Sequence, residues 1–166
     1  MGDIAVIQMK DIDDANLLHA DNAVRVVLPR AQPRHLLRVG DVLFRSRGRS
    51  NGAAQVQVDI GAAVLAAPML LIRPHGALPE YLCWYINSPA VQAQFAALSE
   101  GTSVRMISAE ALRSLDVPLP ALAVQQRIVQ AAALAGKEQF LQTRIATLRH
   151  RLTYDLLMKT ARENTP

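Results

Sequence analysis

The sequence predicts an α+β protein: a small mixed or antiparallel β-sheet domain with packed helices over residues 1–120, then one long, coiled-coil-like C-terminal helix over residues 121–166. Three observations predict it. Short runs rich in Val, Ile and Leu, bounded by Gly, Pro or Asp, recur between Ile4 and Arg73 and read as strands. Pro79 and the pair Ser88-Pro89 each open an apolar helical pattern. From Leu122 to about Arg162 nearly every residue is Ala, Leu, Gln, Arg, Ile, Lys or Glu, and no proline interrupts.

Taken in order, Ile4-Ala-Val-Ile-Gln-Met is the first strand, ended by the polar side chains of Gln8, Lys10 and Asp11. Residues 11–22 hold four Asp and two Asn and read as a surface loop. Val24-Arg-Val-Val-Leu is a short strand stopped by Pro29. Between Arg25 and Arg49 lie seven arginines against one acid, Asp41, the strongest charge asymmetry in the chain. Within that stretch Val39-Gly-Asp-Val-Leu-Phe is a turn followed by a strand, because Gly40 frees φ and Asp41 can bond its own backbone.

The following Arg45-Ser-Arg-Gly-Arg-Ser-Asn-Gly is a loop of cations, hydroxyls, an amide and glycines. Glycines let backbone N–H groups approach an anion, and the side chains suit phosphate or base edges. A solvated hairpin loop is the plain alternative. Gln55-Val-Gln-Val-Asp alternates and reads as a half-buried strand, Ala62–Ala67 as another. Met69-Leu-Leu-Ile is continuously apolar and therefore expected at the centre of the sheet.

Two helices follow, with Leu82, Tyr85, Ile86, Val91, Phe95 and Leu98 expected on their buried faces. Cys83, the single cysteine, excludes an intramolecular disulfide framework and sits in an apolar run, as a structural thiol would. Thr102-Ser-Val-Arg-Met is a polar loop carrying Arg105, and Ser108 caps a short helix with Glu110 in its first turn. Pro118 and Pro120 then separate body from helix.

In the long helix Leu134, Leu141, Ile145, Leu148, Leu152 and Leu156 form a stripe whose four- and three-residue steps suit a two-helix contact. Glu138 and Asp155 interrupt the seam, and Gly136 is disfavoured by about 1 kcal/mol relative to Ala, enough to divide the segment into two helices. A helix folded back on its own domain is the other reading of the same pattern.

Several segments resemble the specificity subunits of type I restriction-modification systems. These are Val6-Ile-Gln-Met-Lys-Asp-Ile, Gly40-Asp-Val-Leu-Phe with Arg47-Gly, Pro79-Glu-Tyr-Leu-Cys-Trp-Tyr-Ile-Asn-Ser-Pro, and Leu115-Asp-Val-Pro-Leu-Pro-Ala-Leu-Ala-Val-Gln-Gln-Arg-Ile-Val. The succession runs from Val6 to about Arg151 without a single diagnostic motif. The resemblance implies one target recognition domain, 1–120, and one spacer or dimerisation helix, 121–166. It also implies a strand upstream of Ile4 that this chain lacks, so the domain is either trimmed or completed from elsewhere.

The implied partners are double-stranded DNA, methyltransferase and restriction subunits, and a second copy joined through the helix to read a two-part target. Candidate DNA-binding residues are Gln8, Lys10, Arg45, Ser46, Arg47, Arg49, Ser50, Asn51, Thr102, Ser103 and Arg105. Of the 18 basic residues all but three are Arg, whose planar fork matches phosphate and guanine edges, and the formal charge is +4. The rival reading is a helix-mediated assembly or adaptor protein that does not contact DNA.

Catalysis is not expected. The chain has no Pro-Pro dipeptide for an Asn-Pro-Pro-aromatic methyltransferase motif, and no acid two residues before any of its three lysines. Glycine-rich nucleotide loops are missing, and its four histidines are scattered without zinc spacing, so no metal or cofactor is expected. No apolar run approaches a membrane span and no leader pattern opens the chain, which makes a cytoplasmic protein the default.

Overall fold

The computed structural model describes residues 3–28, 31–48, 51–98 and 106–163. The chain divides into two compact units, 1–126 and 127–166. The first holds two three-stranded sheets in place of the single sheet expected. In one, β1 (Ile4–Ile7) lies between β2 (Val24–Val26), antiparallel, and β5 (Ala63–Leu65), parallel. In the other, β3 (Val42–Arg45) lies between β4 (Ala53–Gln55) and β6 (Met69–Ile72), both antiparallel. The class is α+β, as expected.

Strand β3 is the wall between two cores. Side chains alternate across a strand, so Leu43 joins Ile7, Ile12, Leu37 and Val56 on one face. Val42 and Phe44 join Leu82, Ile86, Val91, Phe95 and Ile107 on the other. Burial on both faces explains why β3 reads as an unbroken apolar run. The same run in β6 does not make that strand central: β6 is an edge of its sheet, and apolar neighbours on both faces account for its composition. The strand expected at residues 55–59 lies earlier, at Ala53–Gln55, where Ala53 and Ala54 pair with β3; Val56 is still buried, whereas Val58 is 67% exposed.

Helices α1 (Pro79–Ile86) and α2 (Pro89–Leu98) cover the second core. Their buried residues are Tyr81, Leu82, Ile86, Val91 and Phe95, and Phe44 meets Phe95 edge-on with centroids 5.4 Å apart. Leu98 departs from expectation at 62% exposed, since the helix ends one turn beyond Phe95, its last buried residue. Tyr85 is half-buried, and its hydroxyl donates to Asp116 O at 2.9 Å. Asn87, just past α1, donates to Ala53 O and accepts from Ala53 N, both at 2.8 Å. Its carboxamide thereby occupies the hydrogen-bonding edge of β4 as a neighbouring strand would.

The short helix α3 (Ala109–Arg113) is capped by Ser108, whose Oγ accepts from Ala111 N at 3.0 Å. Residues 115–121 form no strand; two prolines without N–H groups cannot sustain a ladder. The segment is held instead by the hydroxyls of Tyr81, on Pro118 O at 2.7 Å, and of Tyr85. Helix α4 (Leu122–Glu163) then runs 42 residues, about 63 Å, without a break at Gly136. Gln125 in its first turn is buried at 1% exposure, accepting from Leu78 N and donating to Pro120 O at 2.8 Å each. Within the second unit the stripe from Leu134 to Leu156 is open to solvent, its six residues between 48% and 70% exposed. Among the described residues no helix is long and apolar enough to cross a membrane.

Candidate nucleic-acid interface

The first candidate segment leaves β1 at Gln8 and makes one 3-10 turn, Met9–Asp11. Gln8 N donates to Asp11 Oδ2 at 2.8 Å and His19 N to Asp11 O at 2.7 Å, so the buried Asp11 turns inward to hold the turn. Lys10 is left exposed and Gln8 half-buried. In the acidic loop that follows, Asp13 accepts from Leu17 N at 2.8 Å and lies 2.8 Å from His19 Nε2. The His19 bond first, then the Leu17 N–H, holds the Asp13 carboxyl below its usual value of 3.8. Two of the loop's four acids are thus engaged locally.

The second segment is the hairpin after β3. Arg45 N donates to Gly52 O at 2.9 Å, and Asn51 Nδ2 donates to Arg45 O at 3.1 Å. Ser46 Oγ donates to Pro68 O. Ser46 and Asn51, at 4% and 6% exposure, are held inside the body by these bonds and shape the loop from beneath. Arg47 is exposed, and no ion pair of the described residues uses it or Lys10. Arg49 and Ser50 lie outside the described residues, as do Thr102, Ser103 and Arg105 of the third segment.

Two contacts tie the hairpin to neighbouring chain. Arg45 Nη2 donates to Asn16 Oδ1 at 2.5 Å, joining the hairpin to the acidic loop. Arg47 pairs with Met106 in an antiparallel bridge, and Ile107 N donates to Ser46 O at 2.7 Å, joining the hairpin to the chain that follows 99–105. The acidic loop at Asn16, the hairpin at Arg47 and the chain at Met106 therefore border one region of the first unit. At the other end of β3, Asp41 is buried and receives Arg73 through Nε at 2.9 Å and Nη2 at 3.2 Å, together with Arg38 N at 2.9 Å. Asp41, the one acid within the arginine-rich stretch, is thereby neutralised.

Sequence reasoning missed Asn16, Gly52, Asn87 and Gln125. The signal for Asn16 was present, since Asn in a punctuated Asp/Asn loop tolerates the left-handed region; the others act through contacts across tens of residues. Chemically the region can present cations and hydrogen-bond donors to a polyanion. Among the described residues no group of three His, Cys, Asp or Glu could hold a metal. Cys83 is removed from such chemistry, its thiol pushed up to about 12 chiefly by burial.

No protein-family model matches the chain, and no curated protein sequence does. Solved structures do, two of which show the likeness. The crystal structure of the HsdS subunit from Thermoanaerobacter tengcongensis superposes with a TM-score of 0.71 at 25% identity, over 95% of this chain and 41% of that one. A chain from work on complex assembly and conformational transition of the type I R-M system superposes with a TM-score of 0.71 at 24% identity and the same coverages. The chain spans less than half the length of these two. Its structural neighbours are thus HsdS specificity subunits of type I R-M systems, whose fold it shares along 95% of its own length.

Proposed function

We propose that this chain is a DNA-recognition subunit of a type I restriction-modification system. Residues 1–120 form its target recognition domain and 121–166 its spacer helix. The observation that carries the reading is the hairpin tied to the acidic loop through Arg45–Asn16 and to Met106 through Arg47, on a fold shared with HsdS subunits. Lys10 and Arg47, with Arg49 and Arg105, supply phosphate or base contacts; Gln8, Ser50, Thr102 and Ser103 read base edges. Ser46 and Asn51 support the hairpin. Methylation and cleavage reside in separate subunits.

The open stripe of Leu134, Leu141, Ile145, Leu148, Leu152 and Leu156 supports a helix partner. A second copy packed antiparallel along it would hold two recognition domains apart and read a two-part, roughly palindromic target. The stripe also favours the rival reading, an assembly protein that never touches DNA.

The discriminating experiment measures binding to mixed-sequence duplex at two salt concentrations, with and without a co-expressed methyltransferase subunit. Salt-dependent binding, or binding gained in the assembly, supports recognition; the absence of both supports the rival. Arg47→Ala with Arg49→Ala should weaken binding and lower the salt slope by about one unit per phosphate contact removed. An unchanged slope removes the hairpin from the interface.

A further inference from the structure

Asn16 has φ of +60°, and among the described residues no other non-glycine has positive φ. Asn adopts this region more readily than most residues, yet it is still a minority conformation that the surroundings must hold. Its backbone is held by the local turn, in which Asn16 N donates to Asp13 O at 3.1 Å, and its side chain is held by Arg45. That guanidinium reaches out of β3 and donates Nη2 to Asn16 Oδ1 at 2.5 Å. Its Nε is buried with no hydrogen-bond partner among the described residues.

A buried N–H without an acceptor disfavours the folded state. An apolar side chain at position 45, opposite Met69 in the ladder, would carry no such burden.

Gly52 completes the arrangement. Its φ is unexceptional, but a methyl group on it would lie 2.8 Å from Arg45 Nη2 and closer still to Asn16 Oδ1. The space left by the missing side chain is the space the Arg45–Asn16 bond occupies. The end of β3 and two loops thus meet at one hydrogen bond.

The bond also settles which way round the amide sits. A guanidinium only donates, so the Asn16 atom facing Arg45 is the oxygen, and the NH2 is the end left to donate elsewhere. We infer that Asn16 is a base-reading residue of this interface and that Arg45 is its positioning residue, with Gly52 keeping the room they share. The inference rests on the DNA-recognition reading and deepens it. The matching ligand feature is an acceptor on a base edge, such as purine N7, guanine O6 or thymine O4.

The test is selection from a randomised duplex library by the full chain co-expressed with its methyltransferase subunit. Wild type is compared with Asn16→Gly, Arg45→Met and Gly52→Ala, with the salt slope of binding and the circular dichroism spectrum recorded for each. Asn16→Gly keeps the backbone conformation and deletes the amide; Gly52→Ala keeps both partners and pushes them apart. Each folded variant should lose preference about tenfold at the same one or two base pairs. Preference elsewhere in the enriched sequence, and the salt slope, should stay unchanged.

Folded variants that enrich the wild-type sequence at full strength would overturn the inference while leaving the recognition reading intact. So would a uniform loss with the slope lowered by about one unit, the mark of a phosphate contact. Wild type that enriches no sequence would instead sink the recognition reading, and this inference with it. Should Arg45→Met fail to fold, Asn16→Gly and Gly52→Ala decide the matter.

Discussion

Replacing Gln125 by Leu should destabilise the first unit, and the size of the effect follows from two bonds. Gln125 is 1% exposed; its Oε1 accepts from Leu78 N and its Nε2 donates to Pro120 O, each at 2.8 Å. Leucine fills nearly the same volume, so little cavity forms, but a backbone donor and a backbone acceptor lose their partners. Each such group left unsatisfied costs about 1–3 kcal/mol, and partial access of water to the half-buried Leu78 and Pro120 argues for the lower part of that range. The sum is about 3 kcal/mol. At a urea dependence of about 2 kcal/mol per M, the unfolding midpoint should fall by about 1.5 M.

The assay is fluorescence of Trp84, the single tryptophan, which sits in α1 against Tyr81 with ring centroids 5.6 Å apart. It reports the body selectively, whereas far-ultraviolet circular dichroism is dominated by α4. Gln126→Leu, at the exposed neighbouring position, is the control and should move the midpoint by less than about 0.3 M. Equal shifts for the two variants would refute the assignment of Gln125 as the anchor.

Asp41→Ala should destabilise the body by about 1–3 kcal/mol, because Arg73 loses its carboxylate and keeps only the carbonyls of Arg34 and Leu36, and Arg38 N loses its acceptor; the same fluorescence titration measures it. Asp13, with its folded carboxyl below 3.8, binds its proton less readily folded than unfolded, so its contribution is present above that value and is lost as pH falls through the folded pKa. A carboxyl-carbon NMR titration should place Asp13 below 3.8, and His19→Ala should move it back up; no movement would remove the His19 bond as the cause. Cys83 should resist an aromatic disulfide reagent at pH 8 in the native protein and react promptly in urea, since burial holds its thiol at about 12. Prompt native reaction would contradict that burial.

The expected helix boundaries lay close to the observed ones, because Pro79, Pro89, Ser108 and the proline-free stretch after Ala121 act locally, within a turn of where they stand. The apolar stripe of α4 could be read for a similar reason: periodicity is a property of neighbouring turns, and it picks out a row of apolar side chains that the second unit leaves exposed. Strand order was another matter. Met69-Leu-Leu-Ile and Val42-Leu-Phe are equally apolar, yet one edges its sheet and the other divides two cores. Composition reports that both faces of a strand are covered and is silent about which strands lie beside it.

The candidate interface splits along the same line. By itself the sequence determined the cation-rich hairpin, the polar loops and the chemistry they carry, because side-chain type alone decides what a group can donate or accept. Only the tertiary structure decided that Ser46 and Asn51 face inward, that Asn16 answers to Arg45 twenty-nine residues away, and that Arg47 borders Met106. Those partners are chosen by the packing of the whole body, where hydrogen bonds between distant segments form only after both have been brought together, and no local pattern encodes that meeting.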